Sequence, residues 1–411
     1  METLDRAKAR SIILRVSLAT LLSMSLWFSA TAVAPTLQVT WNLSSSETAW
    51  LTMAVQLGFV VGTLVSTLFT LADRIEARLL FAYCSFAGAV VNGMMAWADG
   101  LTVALPLRFA TGALLAGVYP PGMKLAASWS KEDRGLAVGA LVGALTVGSA
   151  APHFFGILTA NETVDTLPWR TTVLAASTLA ALGGLLVLIG VAEGPYAGRV
   201  PRFAAGAIRE ILKQPGVKMA NVGYLGHMWE LYAMWAWVPI YLFELVQQDY
   251  GPRGIPLAAA ASFAVIAVGG PGSVVAGYLA DRFGRTAIVI VSLSVSGACC
   301  LIVGVTGEIS AVAVFAVCLI WGFAVVADSA QFSTMVTELA PPRLVGTALT
   351  LQTSMGFLLT MVSLQAVPLV RQIGGWPLAF GMLALGPAAG IAAMVHLRRL
   401  PEARGIALGK K

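Results

Sequence analysis

Apolar runs of about twenty residues follow one another along almost the whole chain, separated by short stretches rich in glycine, proline or polar residues. A run of this length, when helical, spans the hydrocarbon core of a bilayer, which is about 30 Å thick. Only 11% of the 411 residues are charged, so no stretch is left for a separate soluble domain. The sequence therefore predicts an all-α membrane protein with twelve transmembrane helices, at approximately 16–37, 48–71, 79–97, 102–127, 136–158, 170–191, 219–245, 257–280, 287–305, 311–336, 346–369 and 377–397.

The first apolar run raises the question of a signal peptide. It follows a basic N-terminal stretch and contains Ala30-x-Ala32, which resembles a signal-peptidase site. The run nevertheless continues from Val16 to about Leu37, long enough to span a membrane, and eleven comparable runs follow it. We therefore expect it to be the first membrane helix.

The basic residues fall mainly on one side of the predicted membrane helices. If the N-terminus is cytoplasmic, the cytoplasmic segments hold twenty Lys and Arg residues and the outer segments hold three, Arg170, Arg253 and Arg371. By the positive-inside rule, this bias predicts a bacterial-type inner-membrane protein with both termini in the cytoplasm. It also accounts for the net charge of +6, so we expect lipid bilayer and no nucleic acid as partners.

The chain carries an internal repeat. Ala72-Asp73-Arg74 recurs as Ala280-Asp281-Arg282 at an offset of 208 residues, and Trp169 recurs as Trp376 at an offset of 207. The repeat predicts a six-helix bundle at 1–191, a cytoplasmic linker at 192–218 and a second six-helix bundle at 219–411. Such duplication is typical of secondary transporters, in which two repeats expose a midplane site to each side in turn. The two tryptophans lie at segment ends, where we expect them in the membrane interface.

A nine-residue motif carries a resemblance to a known family. The segment from Gly277 to Arg285, with Asp281, Arg282 and Gly284 in place, resembles the cytoplasmic signature of the major facilitator superfamily, and Asp73-Arg74 belong to a degenerate first copy. The resemblance implies a conformational switch formed by Asp73, Arg74, Gly277, Asp281, Arg282, Gly284 and Arg285. Trp27-Phe28-Ser29 and Tyr119-Pro120-Pro121-Gly122 are similar in style to cyanate/nitrate-type and organic-anion carriers of that superfamily.

In this superfamily the first, fourth, seventh and tenth helices line the central cavity. An ionisable side chain exposed to hydrocarbon costs free energy. We therefore expect each such residue within an apolar segment to face a cavity, a partner group or a path for water. Those on the implied cavity helices include Glu230, which lies near the midplane, and Asp328. We expect Glu230 to be the main group that couples transport to protons and Asp328 to be the next candidate, because a carboxyl in low dielectric takes up a proton readily. The alternative is that Glu230 pairs with a base and fastens two helices together. The complete set expected to bind substrate is Trp27, Arg108, Tyr119, His227, Glu230, Trp237, Asp328 and Gln331.

The sequence thus predicts a monomeric, proton-coupled secondary carrier of a small organic solute. The bases Arg108 and Lys124 offset the acids Glu230 and Asp328, so an anion and a cation are both allowed, and we favour an anion. Two alternatives stay open, a drug/proton antiporter and a non-transporting membrane sensor. No catalytic or phosphate-binding motif is assembled, so an enzyme is not expected. Cys84, Cys299, Cys300 and Cys318 lie in apolar runs without metal-ligand spacing, which predicts reduced thiols and no metal or other cofactor.

Overall fold

The computed structural model describes residues 2–69, 71–129, 134–159, 168–196, 208–307 and 309–410. The α-helices within these ranges, in chain order, are α1 Glu2–Met24, α2 Ala34–Thr40, α3 Ser45–Leu68, α4 Leu71–Arg74, α5 Ala77–Met94, α6 Leu101–Leu115, α7 Tyr119–Ser128, α8 Arg134–Thr159, α9 Pro168–Gly190, α10 Ile208–Leu212, α11 Pro215–Tyr250, α12 Ile255–Ala267, α13 Gly269–Phe283, α14 Arg285–Thr306, α15 Ala311–Ala327, α16 Ser329–Leu339, α17 Val345–Leu383 and α18 Leu385–Arg399. The prediction of an all-α protein is confirmed, because each predicted run coincides with one or two of these helices.

Eight helical stretches in the described ranges are long and apolar enough to cross a membrane. One of them, Pro342–Arg399, is 58 residues long and covers two of the predicted runs. The chain changes direction within it at Gly374 and Gly375, and Gly375 has a φ of 66°, a left-handed conformation that glycine adopts without steric cost. The remaining three predicted runs lie in α1, α8 and α11.

Several membrane helices are interrupted near their middle. Residues 25–30 form turns between α1 and the 3-10 helix Thr31–Val33, and α6 and α7 are separated by residues 116–118, just before Pro120 and Pro121. The break before this proline pair has a local cause, because proline cannot continue the helical hydrogen-bond ladder. Asp328 lies at a third break, between α15 and α16.

The chain forms two compact units, which we describe separately. The first comprises Met1–Val200 together with Val246–Ala267, and the second comprises Pro201–Leu245 together with Val268–Lys411. Residues 246–267, expected in the second half, group with the first unit because α12 packs against α8 there. The expected linker 192–218 contains α10 and the first residues of α11 in its described part.

Close helix contacts hold the first unit together. α3 packs against α6, where a Cβ atom on Gly112 would overlap the carbonyl group of Val55. Small residues allow the two helix backbones to approach closely. The resulting van der Waals packing stabilises the helix pair in lipid, where a hydrophobic driving force between helices is absent. The side chain of Trp169 is 2% exposed and packs edge to face against Trp41 in a buried cluster, so it contacts protein. Its position in the membrane interface stays a prediction.

Candidate functional site

Arg108 is completely buried in the first unit. It lies on α6, and its guanidinium group points at the turns of residues 25–30, whose backbone carbonyls have left the regular helical ladder. Its Nη1 donates to Leu26 O, Ser29 Oγ and Asn92 Oδ1, each at 3.0 Å, its Nε donates to Leu51 O at 3.3 Å, and its Nη2 donates to Trp27 O.

In the part of the chain that the structure describes, the hydrogen-bond acceptors of Arg108 are all uncharged protein oxygens. The hydroxyl group of Ser29 also donates to Asn92 Oδ1 at 2.7 Å, so three polar side chains form one buried network. A guanidinium group offers five N–H donors, and each of its three nitrogens makes at least one bond here. The arrangement ties α6 to the unwound part of the first membrane helix.

Trp27 and Tyr119, the other substrate candidates of the first unit, lie close to the same two helix breaks. The indole ring of Trp27 is buried and packs edge to face against Phe59, with ring centroids 5.0 Å apart. Tyr119 is half-buried at the first position of α7. The helix is interrupted after Leu115, between Arg108 and Tyr119, so the regular spacing of an unbroken helix does not relate these two side chains. Tyr119 as a substrate residue stays a prediction.

The second unit contains a buried acidic cluster. His227 on α11 and Asp328 at the break between α15 and α16 approach at ion-pair distance, with Nδ1 2.8 Å from Oδ1. Both side chains are almost entirely buried, and Tyr224 and Phe332 pack beside the imidazole at ring-centroid distances of 6.0 and 5.7 Å. In the described part of the chain, His227 Nε2 and Asp328 Oδ2 have no hydrogen-bond partner. His227 lies three residues before Glu230 on α11, but the acid at ion-pair distance from it is Asp328, which belongs to a distant part of the chain.

Glu230 lies one turn after His227 and is completely buried. Its Oε2 accepts a hydrogen bond from the Cys300 thiol of α14 at 3.2 Å. Within the described residues its Oε1 has no hydrogen-bond partner, and no lysine or arginine lies within ion-pair distance of the carboxyl group. A carboxyl group so enclosed is costly when ionised.

Trp237 and Gln331 are buried but already bonded to protein groups. The indole nitrogen of Trp237 donates to Leu364 O on α17 at 3.2 Å. Gln331 lies on α16, and its Oε1 accepts from Arg285 Nη1 at 3.0 Å. Gln331 therefore connects the region of Asp328 to the signature motif. Among the described residues, no hydrogen bond joins Trp237 to the acidic cluster. Its role in substrate binding stays a prediction.

The signature motif joins α13 to α14. Gly284 has a φ of 98°, which favours glycine at this turn, and Arg285 starts α14. Arg285 is bound to both carboxylate oxygens of Glu338 at 3.0–3.1 Å and lies 3.2 Å from Asp281 Oδ1. This fork-to-carboxylate geometry is the strongest arrangement open to an arginine.

The other residues of the expected conformational switch make fewer contacts than Arg285 in the described structure. Arg282 extends over the ring of Phe283, and Gly277 has open space beside its Cα atom. In the first copy of the motif, Arg74 ends the short helix α4 and is exposed, and the side chain of Asp73 falls outside the described part of the structure.

Sequence reasoning missed three polar residues that complete these sites. Asn92 is a single amide side chain within an apolar run. A polar side chain at such a position predicts a buried hydrogen bond, and this signal could have identified it. Cys300 is expected only as a packed thiol, and it is a buried free cysteine in the structure. Glu338 lies at a segment end, where an acid is ordinary. The site residues that they contact, Arg108, Glu230 and Arg285, lie 16, 70 and 53 positions away in the chain, so only the fold reveals the contacts.

Comparison with known proteins supports a family assignment. A family model described as Major Facilitator Superfamily matches residues 16–364. A mutant of the nucleoside transporter NupG superposes with a TM-score of 0.71 at 14% sequence identity, covering 94% of this chain and 99% of that one. A bacterial homologue of the human lysosomal transporter Spinster, solved inward-facing and unoccupied, has a TM-score of 0.66 at 17% identity, covering 98% and 97% of the two chains. These identities show a shared fold alone. No curated protein sequence matches the chain significantly.

Proposed function

The chain belongs to the major facilitator superfamily, and on this premise we propose that it is a proton-coupled secondary active transporter of a small organic solute that works by alternating access. Membership makes it an integral membrane transporter rather than an enzyme. We further propose that it is a monomer in a bacterial-type inner membrane, with bundles at 1–191 and 219–411 and with both termini cytoplasmic, as the distribution of basic residues indicates.

The observation that carries the proton-coupling proposal is the environment of Glu230. The carboxyl group is completely buried, lacks a basic partner in the described residues and has one unpartnered oxygen. A structural ion pair would instead join it to a base, because an isolated charge in low dielectric is strongly unfavourable. Asp328 already has His227 at ion-pair distance, so it is the second candidate.

The charge of the solute is a separate question. We favour an anion from the sequence, but the guanidinium group of Arg108, one of the two bases that could bind it, is surrounded by protein oxygens and gives the preference no added support. The acidic cluster of the second unit is compatible with a protonated amine, which a drug/proton antiporter would carry. NupG is a nucleoside transporter by its description, so nucleosides enter the list of candidates.

A thermal-shift screen identifies the solute first. Purified protein is heated with carboxylates, inorganic anions, amines, nucleosides and drugs, and binding to the native state raises the unfolding temperature. Compounds that stabilise the protein are then tested for flux in proteoliposomes. Binding without flux would support a non-transporting sensor and contradict the transport proposal.

Glu230→Gln tests the coupling residue. Because glutamine mimics the protonated carboxyl group, we expect the variant to lose pH-driven accumulation while it still exchanges labelled for unlabelled solute across a membrane without a gradient. Glu402→Gln makes the same chemical change at an exposed carboxyl group and serves as the matched control. If Glu230→Gln still accumulates solute with the wild-type pH dependence, the assignment is wrong, and Asp328→Asn becomes the next variant to examine.

A further inference from the structure

α14 supplies a polar contact to Glu230, although it corresponds to the ninth membrane helix and is not one of the expected cavity helices. The Cys300 thiol lies 3.2 Å from Glu230 Oε2, and both side chains are completely buried. An ionised carboxylate can only accept hydrogen bonds, so the thiol is the donor. Ser296, one turn earlier on α14, lies close to the same carboxyl group, and its hydroxyl group donates to Leu293 O at 3.3 Å.

The titratable and polar groups around Glu230 come from three helices. His227 precedes it on α11, and Asp328 and Trp321 belong to the α15 side of the cluster. Cys299 and Cys300 face it from α14, but only Cys300 makes a hydrogen bond to it among the described residues. Ser296 and Trp321 also lie close to the carboxyl group, but among the described residues only the Cys300 thiol is in position to donate a hydrogen bond to one of its oxygens, Oε2.

We infer that Cys300 is the positioning residue for proton coupling at Glu230, an inference that rests on the function proposed above. The thiol holds Oε2 and leaves Oε1, which has no partner in the described structure, as the atom that takes the proton. The proton adds to Oε1 without any change in covalent bonds at sulfur, and Cys300 keeps its own proton throughout. Without the thiol, the carboxyl group loses the bond that orients it.

The vicinal cysteine provides a matched control. Cys299 is buried on the same helix at the adjacent position, about 100° around the helix axis from Cys300, and makes no hydrogen bond to Glu230 in the described structure. Cys299→Ala removes the same atoms as Cys300→Ala without removing that bond. Cys300→Ser keeps a hydrogen-bond donor at the same position and is the conservative rescue variant.

Infrared difference spectroscopy of the reconstituted protein across a pH titration tests the inference without a known solute. We expect a carboxyl C=O band that is lost in Glu230→Gln, and a thiol S–H stretching band that changes with the same midpoint in the wild type. The S–H change should be absent from Cys300→Ala and from Glu230→Gln, and it should persist in Cys299→Ala. The carboxyl midpoint should move by about one pH unit in Cys300→Ala, and Cys300→Ser should restore it, because a hydrogen bond to a charged group is worth roughly this much.

The outcomes separate the two proposals. If Glu230→Gln leaves every titrating carboxyl band in place, Glu230 does not titrate and the proposed coupling function fails. If the Glu230 band titrates but the S–H band is silent, or the carboxyl midpoint is the same in Cys300→Ala as in the wild type, only the positioning role of Cys300 is overturned. Should Cys300→Ala fail to fold, the wild-type and Glu230→Gln spectra of the S–H region still decide between these results.

Discussion

Arg108→Lys keeps a positive charge on α6 but removes the planar guanidinium fork. Arg108 makes five hydrogen bonds to oxygens on three other segments of the first unit, including Leu26 O, Leu51 O and Asn92 Oδ1. A lysine ammonium group has three donors at a single point, so it can satisfy at most three of these acceptors. At least two hydrogen bonds to a fully buried charge are lost.

The magnitude follows from these lost bonds. A hydrogen bond to a charged group contributes about 1.5–3 kcal/mol, so the loss of two lowers the free energy of unfolding by about 3–6 kcal/mol. With an unfolding entropy of about 2.1 cal/mol/K per residue over the whole chain, this corresponds to a fall in Tm of roughly 4–7 °C. Cooperative unfolding of the first unit alone would give a larger fall, because fewer residues would share the loss.

Thermal unfolding of the purified variant, measured under the same lipid and detergent conditions as the wild type, checks this value. Arg78→Lys is the control, since Arg78 is paired with exposed Glu76 at 3.4 Å and an exposed pair contributes little. A fall in Tm shared equally by both variants, or no fall in Arg108→Lys, would refute the argument that Arg108 ties the broken first helix to α6.

The same variant tests the role in anion binding that the sequence suggests. If the thermal-shift screen returns an anion, Arg108→Lys should weaken its binding beyond the change in Arg78→Lys, because an ammonium group cannot offer the paired donors of a guanidinium group. Equal affinity in folded wild-type and Arg108→Lys protein would remove Arg108 from the substrate site and leave it with a structural role.

Three further predictions concern other parts of the chain. Asp281→Asn should slow transport in proteoliposomes with solute affinity nearly unchanged, because the signature loop acts on the conformational equilibrium, and equal flux would contradict that role. Gly112→Ala should lower the free energy of unfolding by about 1–3 kcal/mol, because the added methyl group overlaps the Val55 carbonyl, and an unchanged Tm would show that α3 and α6 can move apart. Glu244→Gln should weaken the 2.7 Å contact with half-exposed Arg371 and lower the Tm by no more than a few degrees, so a larger loss would show that this ion pair matters more than its exposure indicates.

The linear pattern of the chain was enough to predict the membrane helices. Apolar runs long enough to span a bilayer can satisfy their backbone only as helices, so their number and approximate bounds follow from local composition. The proline pair at Pro120 and Pro121 likewise predicts a break, because the cause is local. The nine-residue signature from Gly277 to Arg285 suggested the superfamily before any fold was known.

Side-chain partners could not be predicted in the same way. His227 and Glu230 are neighbours on one helix, yet His227 meets Asp328 and Glu230 meets Cys300, about 100 and 70 positions along the chain. Arg108 is buried, as expected for an ionisable residue within a membrane segment. Its hydrogen-bond acceptors, however, depend on the unwinding of residues 25–30, and no proline or glycine within that stretch predicts the unwinding.

The sequence by itself determined which segments enter the membrane and which ionisable residues go with them, because both depend on the cost of exposing polar groups to hydrocarbon over a few helical turns. Only the tertiary structure decided which of those groups lie next to one another and which keep an atom without a hydrogen-bond partner in the described residues. A hydrogen bond requires its two atoms to lie within about 3 Å of each other. Which residues of two packed helices reach that distance depends on the crossing angle and on the rotation of each helix about its axis. Neither quantity produces a periodic pattern in the sequence. That is why Arg108 was foreseen as a buried base but not as a tie between α6 and the broken first helix.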